Sequence, residues 1–136
     1  MSFVKTQIVD SILHVTLARS ERRNALNPEL IADLTAIFSK LASAKDVRAV
    51  LLTGEGPSFC AGADIEYMKS MAEASKEENK ADSEKLFQMF SVIHSAPLPV
   101  IARVHGGVFG GGVGLTAVCD YVVADVQTRF CFSEVR

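Results

Sequence analysis

Two glycine-bearing loops carry the residues best suited to chemistry in this sequence. The stretch VHGGVFGGGVGL, residues 104–115, places six of the chain's nine glycines within twelve positions. Glycine inside a regular element costs roughly 0.5–1 kcal/mol of backbone entropy, so such a run needs a compensating use. A phosphate-cradling loop would require a Lys after the last glycine, and none follows. A dinucleotide fingerprint is formally present as Gly112-x-Gly114-x-x-Ala117. However, a strand resumes by Tyr121, too soon for a full crossover, and Asp125 comes too early for the ribose-binding carboxylate. Close packing of a helix on a strand through small residues is the plainer reading. The sharper one is an oxyanion hole. Backbone N–H groups at a helix start have no helical acceptor, and glycine lets a substrate carbonyl approach them without a Cβ in the way. A second loop, SFCAGADI (residues 58–65), also joins an apolar strand to a helix. Two such loops at the ends of adjacent strands can each offer one N–H to a single oxygen, each donor contributing about 3 kcal/mol of transition-state stabilisation.

The elements that must hold these loops are readable from periodicity. FVKTQIVD and ILHVTLA alternate and are rich in β-branched residues, with Asp10-Ser11 between them: a β-hairpin. Asn27 and Pro28 supply an N-cap and a first helical position. Leu30, Ile31, Leu34, Ile37, Phe38 and Leu41 then follow at helical spacing, predicting an amphipathic helix to Ala44. VRAVLLTG reads as a strand buried on both faces of a parallel sheet. IEYMKSM is a short helix, and Ser75 with Glu78 opens a longer one through a capping box. LPVIARV is a buried strand, LTAVC a short helix after the glycine loop, and YVVAD and RFCFSEV are closing strands. The order predicts an α/β chain with crossovers.

Composition excludes several classes. The 136 residues are 49% hydrophobic and 22% charged, which suits one folded domain rather than a disordered chain. A net charge of −2 gives no reason to expect nucleic acid or an anionic membrane surface as partner. No apolar run approaches a membrane span, and MSFVKTQIVD resembles neither a signal nor a transit peptide. Cys60, Cys119 and Cys131 form no C-x-x-C pair, which points to reduced, buried thiols and a cytoplasmic setting. His14, His94 and His105 are too scattered for a metal site, so no metal is expected. His105 abuts the glycine loop and is placed to orient a backbone group. There is no G-x-S-x-G and no Cys–His couple.

SFCAGADI, then PVIARVHGGVFGGGVGL, then CDYVVAD and FCFSEV, with RRNALN near the start, together resemble the enoyl-CoA hydratase/isomerase (crotonase) family. The resemblance covers essentially the whole chain in order. It implies a crotonase-like spiral of ββα units with mixed, largely parallel sheets, truncated before the C-terminal helices that complete the acyl pocket and the trimer contacts. Residues 1–136 then form the N-terminal part of a catalytic core, and are expected to expose apolar surface and self-associate when expressed alone.

Carried over position by position, the family's oxyanion donors fall on the backbone N–H groups of Ala63 and Gly111. Ala61, Gly62, Ala63, Asp64 and Ile65 match the stretch that contacts coenzyme A, with Arg23, Ala25 and Leu26 nearby and Arg22 as a further basic candidate. Asp64 is expected to cap the following helix. Glu134 matches one of the two carboxylates of the family's hydratases and is expected to face the acyl pocket from a strand end, buried. Gly114 stands where many of those hydratases carry the other. One carboxylate most readily moves a proton between two carbons, yet hydratases of branched or carboxylated enoyl-CoAs look similar to this pattern. The resemblance therefore implies hydration of a 2-enoyl-CoA, with 3-enoyl to 2-enoyl isomerisation, or a non-catalytic crotonase-fold scaffold, as alternatives. It implies no cofactor beyond the coenzyme A of the substrate, an acyl-CoA thioester as partner, and a homotrimer or dimer of trimers.

Overall fold

Three neighbouring parallel strands fix the layout of the site, because the loops leaving their C-terminal ends emerge side by side. The computed structural model describes residues 2–135. Strands β1 (Val4–Val9) and β2 (Ile12–Leu17) form the expected antiparallel hairpin, with Val4 opposite Leu17 and Val9 opposite Ile12. Asp10 (φ 50°) and Ser11 (φ 64°) both lie in the left-handed region, the backbone of a two-residue turn that matches strand twist. Helix α1 (Pro28–Ser39) follows, capped by the Asn27 side chain, which accepts from Leu30 N. It stops at Ser39, short of the expected Ala44, and Leu41–Ser43 continues as a tighter 3-10 turn that still buries Leu41.

Strand β3 (Ala49–Gly54) pairs in parallel with β2, and β4 (Val100–Val104) pairs in parallel with β3. Between them run α2 (Ile65–Ala72) and α3 (Lys76–His94), the latter opened by the capping box of Ser75 and Glu78. The glycine stretch does not form one loop. It contains a short strand, β5 (Gly107–Phe109), and then α4 (Gly111–Ala117), which begins on the glycines themselves rather than at Leu115. Strand β6 (Tyr121–Ala124) adds in parallel to β4, completing a five-stranded sheet of order β1-β2-β3-β4-β6. Strand β7 (Arg129–Cys131) pairs in parallel with β5 as a separate two-stranded sheet. The chain is thus mixed α/β with a largely parallel sheet, as expected.

Inward-facing residues alternate along the strands, as a two-residue period requires: Val15 and Leu17 on β2, Val50 and Leu52 on β3, Val100, Ala102 and Val104 on β4. Leu30, Leu34 and Phe38 of α1 and Met89 and Ile93 of α3 close over this core. By contrast β6 exposes all four of its residues, and Val126, Phe130, Phe132 and Val135 beyond it are also exposed. Among the described residues no helix is long and apolar enough to cross a membrane.

Candidate active site

The loops that follow β2, β3 and β4 converge, and buried polar groups hold them together. In the first loop, Arg23 (φ 51°) and Asn24 (φ 55°) adopt left-handed backbone. Asn24 is fully buried and uses its amide completely across two loops. Its Oδ1 accepts from Arg19 N (2.9 Å), while Nδ2 donates to the carbonyls of Glu55 (2.8 Å) and Ser58 (3.0 Å). Arg19 reaches the other way, with Nη1 2.7 Å from Asp64 Oδ2 and 3.0 Å from the Ala25 carbonyl oxygen, and its guanidinium 5.3 Å above the Phe3 ring. Asp64 caps α2 by accepting from Glu66 N (2.8 Å) and Tyr67 N (3.2 Å). Burial pushes the Asp64 carboxyl up, but Arg19 and the two N–H donors outweigh it and hold the group below the usual carboxylate range. The side chain of Asp64 is therefore a committed structural anion, as its capping role led one to expect.

The second loop threads between the other two as an extended segment. On one side Cys60 N donates to Gly107 O (3.2 Å) and Phe109 N to Cys60 O (3.0 Å). On the other, Leu26 N donates to Gly62 O (2.7 Å) and Asp64 N to Leu26 O (2.9 Å), a parallel bridge between Leu26 and Ala63. Because the bridge uses the groups flanking Ala63, the N–H of Ala63 points away from Leu26. Among the described residues neither Ala63 N nor Gly111 N donates to any acceptor in the chain. Ala63 is exposed and Gly111 half-buried. Leu26 touches both: it is bridged to Ala63, and its Cδ1 lies 2.7 Å from where a Cβ on Gly111 would stand.

Two glycines make this approach possible. A Cβ at Gly112 would lie 2.6 Å from the Cys60 carbonyl oxygen, so only glycine lets α4 rest directly on the second loop. Gly110, the residue before α4, has φ 49° and ψ −116°, a conformation that L side chains avoid. The Glu134 carboxylate occupies the space where its Cβ would be, with the carboxylate carbon 3.0 Å from that point. Glu134 thus sits beside the start of α4, adjoining Gly111. Its setting differs from the expected one in two ways. Strand β7 ends at Cys131, whose carbonyl accepts from Gly110 N (2.9 Å), and Glu134 lies beyond it in the 3-10 turn Ser133–Val135. It is also exposed rather than buried, since no described element packs over that turn.

A cleft of about 310 Å³ opens alongside, lined by Arg23, Ala25, Ala61, Ala63, Asp64 and Ile65, together with Glu21 and Arg22. Seven of the residues singled out for coenzyme A contact, Arg22 included, therefore share one surface. Leu26 and Gly62 do not line it; both are buried, with Leu26 N donating to Gly62 O. Gly111 is likewise outside this cleft wall. Arg22 pairs with Glu66 (3.2 Å), whereas among the described residues Arg23 forms no ion pair. His105 Nε2 lies 2.7 Å from Gly56 O and, as a donor there, ties the second loop to the end of β4. Among the described residues no group of His, Cys, Asp or Glu could hold a metal ion. The thiols of Cys60 and Cys119 are pushed up to about 11 and about 12, chiefly by burial, and all three cysteines are free.

Arg19 and Asn24 are the framework residues that sequence reading missed. Arg19 follows the second strand, where a charge is unremarkable in the sequence, and its partner Asp64 is distant along the chain. The only local signal for Asn24 was its place inside RRNALN, between basic residues and an apolar pair.

The fold that carries this site is shared with known proteins. A family model described as enoyl-CoA hydratase/isomerase matches residues 7–136. The chain belongs to the enoyl-CoA hydratase/isomerase family. A solved enoyl-CoA hydratase structure from Mycobacterium smegmatis superposes with a TM-score of 0.92 at 34% identity, covering 99% of this chain and 52% of that one. An enoyl-CoA hydratase of Alternaria alternata is 38% identical over 124 residues, 91% of this chain and 40% of its own length. The human mitochondrial Delta(3,5)-Delta(2,4)-dienoyl-CoA isomerase is 38% identical over 132 residues, again 91% of this chain and 40% of its own. The chain therefore spans about half, or somewhat less, of these family members. Its fold is the crotonase fold, and both hydratases and isomerases are among its relatives.

Proposed function

We propose that this chain forms the oxyanion and coenzyme A side of an enoyl-CoA hydratase, with Glu134 as its acid/base. The observation that supports the reading is the pair of unengaged N–H groups, on Ala63 and Gly111, each residue beside Leu26, with the Glu134 carboxylate by the start of α4. In this reading both N–H groups donate to the thioester oxygen of a 2-enoyl-CoA. Glu134 takes a proton from water as the water oxygen bonds to the acyl β-carbon. The π electrons move onto the thioester oxygen as an enolate, which the two donors stabilise. Collapse of the enolate returns the proton from Glu134 to the α-carbon, so the sum is addition of one water. Coenzyme A lies in the cleft of Arg23, Ala61 and Ile65, with no further cofactor. A homotrimer and a cytoplasmic location complete the proposal, the latter supported by the three unpaired thiols.

A second reading is favoured by Gly114, which leaves α4 without a carboxylate of its own. Glu134 alone would then remove a proton from the α-carbon of a 3-enoyl-CoA and return it to the γ-carbon, leaving the 2-enoyl isomer. Incubating the full-length protein with each thioester and following absorbance of the conjugated enoyl group separates the readings. Loss of signal from a 2-enoyl-CoA supports hydration. Gain of signal from a 3-enoyl-CoA replaces it with isomerisation. No change with either refutes both and favours a non-catalytic scaffold.

A further inference from the structure

Gly114 lies one turn beyond Gly111 on the same face of α4, and the two meet different side chains. A Cβ at Gly111 would stand 2.7 Å from Leu26 Cδ1. One at Gly114 would stand 2.9 Å from Cζ and 3.1 Å from Cε1 of Phe90. Carbon atoms at rest prefer 3.5–4.0 Å, so the Phe90 ring edge rests against the bare position 114, and a side chain there would require the ring to shift. The ring reaches α4 from α3, where its neighbours Met89 and Ile93 are core residues; Phe90 itself is only half-buried. Leu26 is bridged to Ala63. Leu26, beside Ala63 and Gly111, and Phe90, beside Gly114, therefore lie against one face of α4, with the Glu134 carboxylate at the end of α4 nearest Gly111.

Resting on the reading that Ala63 and Gly111 hold the thioester oxygen, we propose that Phe90 is a specificity-determining residue: its ring, seated where Gly114 leaves α4 bare, is the wall against which the acyl carbons next to the thioester lie. The ring sets how broad an acyl group can be at that point. It also couples positions 90 and 114, since a side chain at 114 requires the ring at 90 to move.

The test uses the full-length protein and saturated thioesters, which bind without reacting. Dissociation constants are measured for coenzyme A, butyryl-CoA, isovaleryl-CoA and phenylacetyl-CoA with wild type, Phe90→Leu and Phe90→Ala. Removing the ring is expected to shift the preference for the two broader acyl groups over butyryl by about tenfold, the scale on which pockets discriminate small apolar differences. Phe90→Leu should fall between, and free coenzyme A should bind all three alike. An unchanged ratio among the acyl-CoAs overturns the proposal, as does a loss that free coenzyme A shares in full. Should Phe90→Ala not fold, Phe90→Leu carries the same ratio test. Failure of the oxyanion reading looks different: acyl-CoAs would then bind wild type no more tightly than coenzyme A itself, and the assignment of Phe90 would fall with it.

Discussion

Replacing Asp64 by Ala should cost the protein about 3–5 kcal/mol, far more than an ordinary surface carboxylate. The side chains of Arg19 and Asp64 are only 10% and 5% exposed, and their charged atoms are 2.7 Å apart. Removing one member of a buried pair strands the other, an effect of about 3–5 kcal/mol. Two features bear on where in that range the loss falls. Arg19 keeps one carbonyl, that of Ala25, and its place over Phe3, which moderates the penalty. Loss of the α2 cap adds about 1 kcal/mol, because Glu66 N and Tyr67 N lose their acceptor. Urea denaturation of the full-length protein gives the number. The double change Arg19→Met with Asp64→Ala should recover part of it, since no unpaired charge remains. The pH dependence has a definite sign. The folded carboxyl sits below its unfolded value, so its contribution is complete above about pH 4 and fades as pH falls through the folded value. The acid limb of the stability profile should therefore be shallower in Asp64→Ala. A loss below about 1 kcal/mol, or a double variant no better than the single one, would refute this account of the ion pair.

Three further outcomes follow from the site. Glu134→Gln should lower kcat by about 10²–10⁴-fold with little change in KM; near-full activity in both hydration and isomerisation assays would remove Glu134 from the mechanism. Arg23→Ala should weaken coenzyme A binding by about two- to fivefold at low salt and less at high salt, with turnover at saturation retained. Calorimetric titration at two ionic strengths checks this, and a salt-independent effect contradicts it. Gly110→Ala places a methyl group on the Glu134 carboxylate in a backbone region worth about 1–3 kcal/mol of strain. It should reduce kcat by more than tenfold while leaving coenzyme A affinity, measured in parallel, close to wild type.

Local signals in the sequence carried most of the framework. Asn27-Pro28, the Ser75–Glu78 box and the Asp10-Ser11 turn each encode a boundary within a few residues, and all three stand where expected. What stayed hidden depends on partners far along the chain. Gly107–Phe109 is a three-residue piece inside a glycine run and becomes β5 by pairing with β7 on one side and bridging Cys60 on the other. Helix α4 begins on glycines, against their propensity, and at Gly112 only glycine can lie against Cys60. At the site, the cleft-lining residues were legible as a motif, whereas the Arg19–Asp64 pair depends on packing that no local pattern encodes.

Asn24 has a consequence for how this molecule can be recombined. One buried amide grips the loop after β2 and the loop after β3 at once, and Arg19 grips the second of these again at Asp64. Residues 19–27 and 54–64, though separated by α1 and β3, behave as a single cassette. A chimera that imports one segment from a relative inherits half of an interlock and leaves buried donors facing the wrong acceptors. Exchanged together, the two segments bring their own fastening with them, and the boundary for a productive graft runs through the strands rather than between the loops.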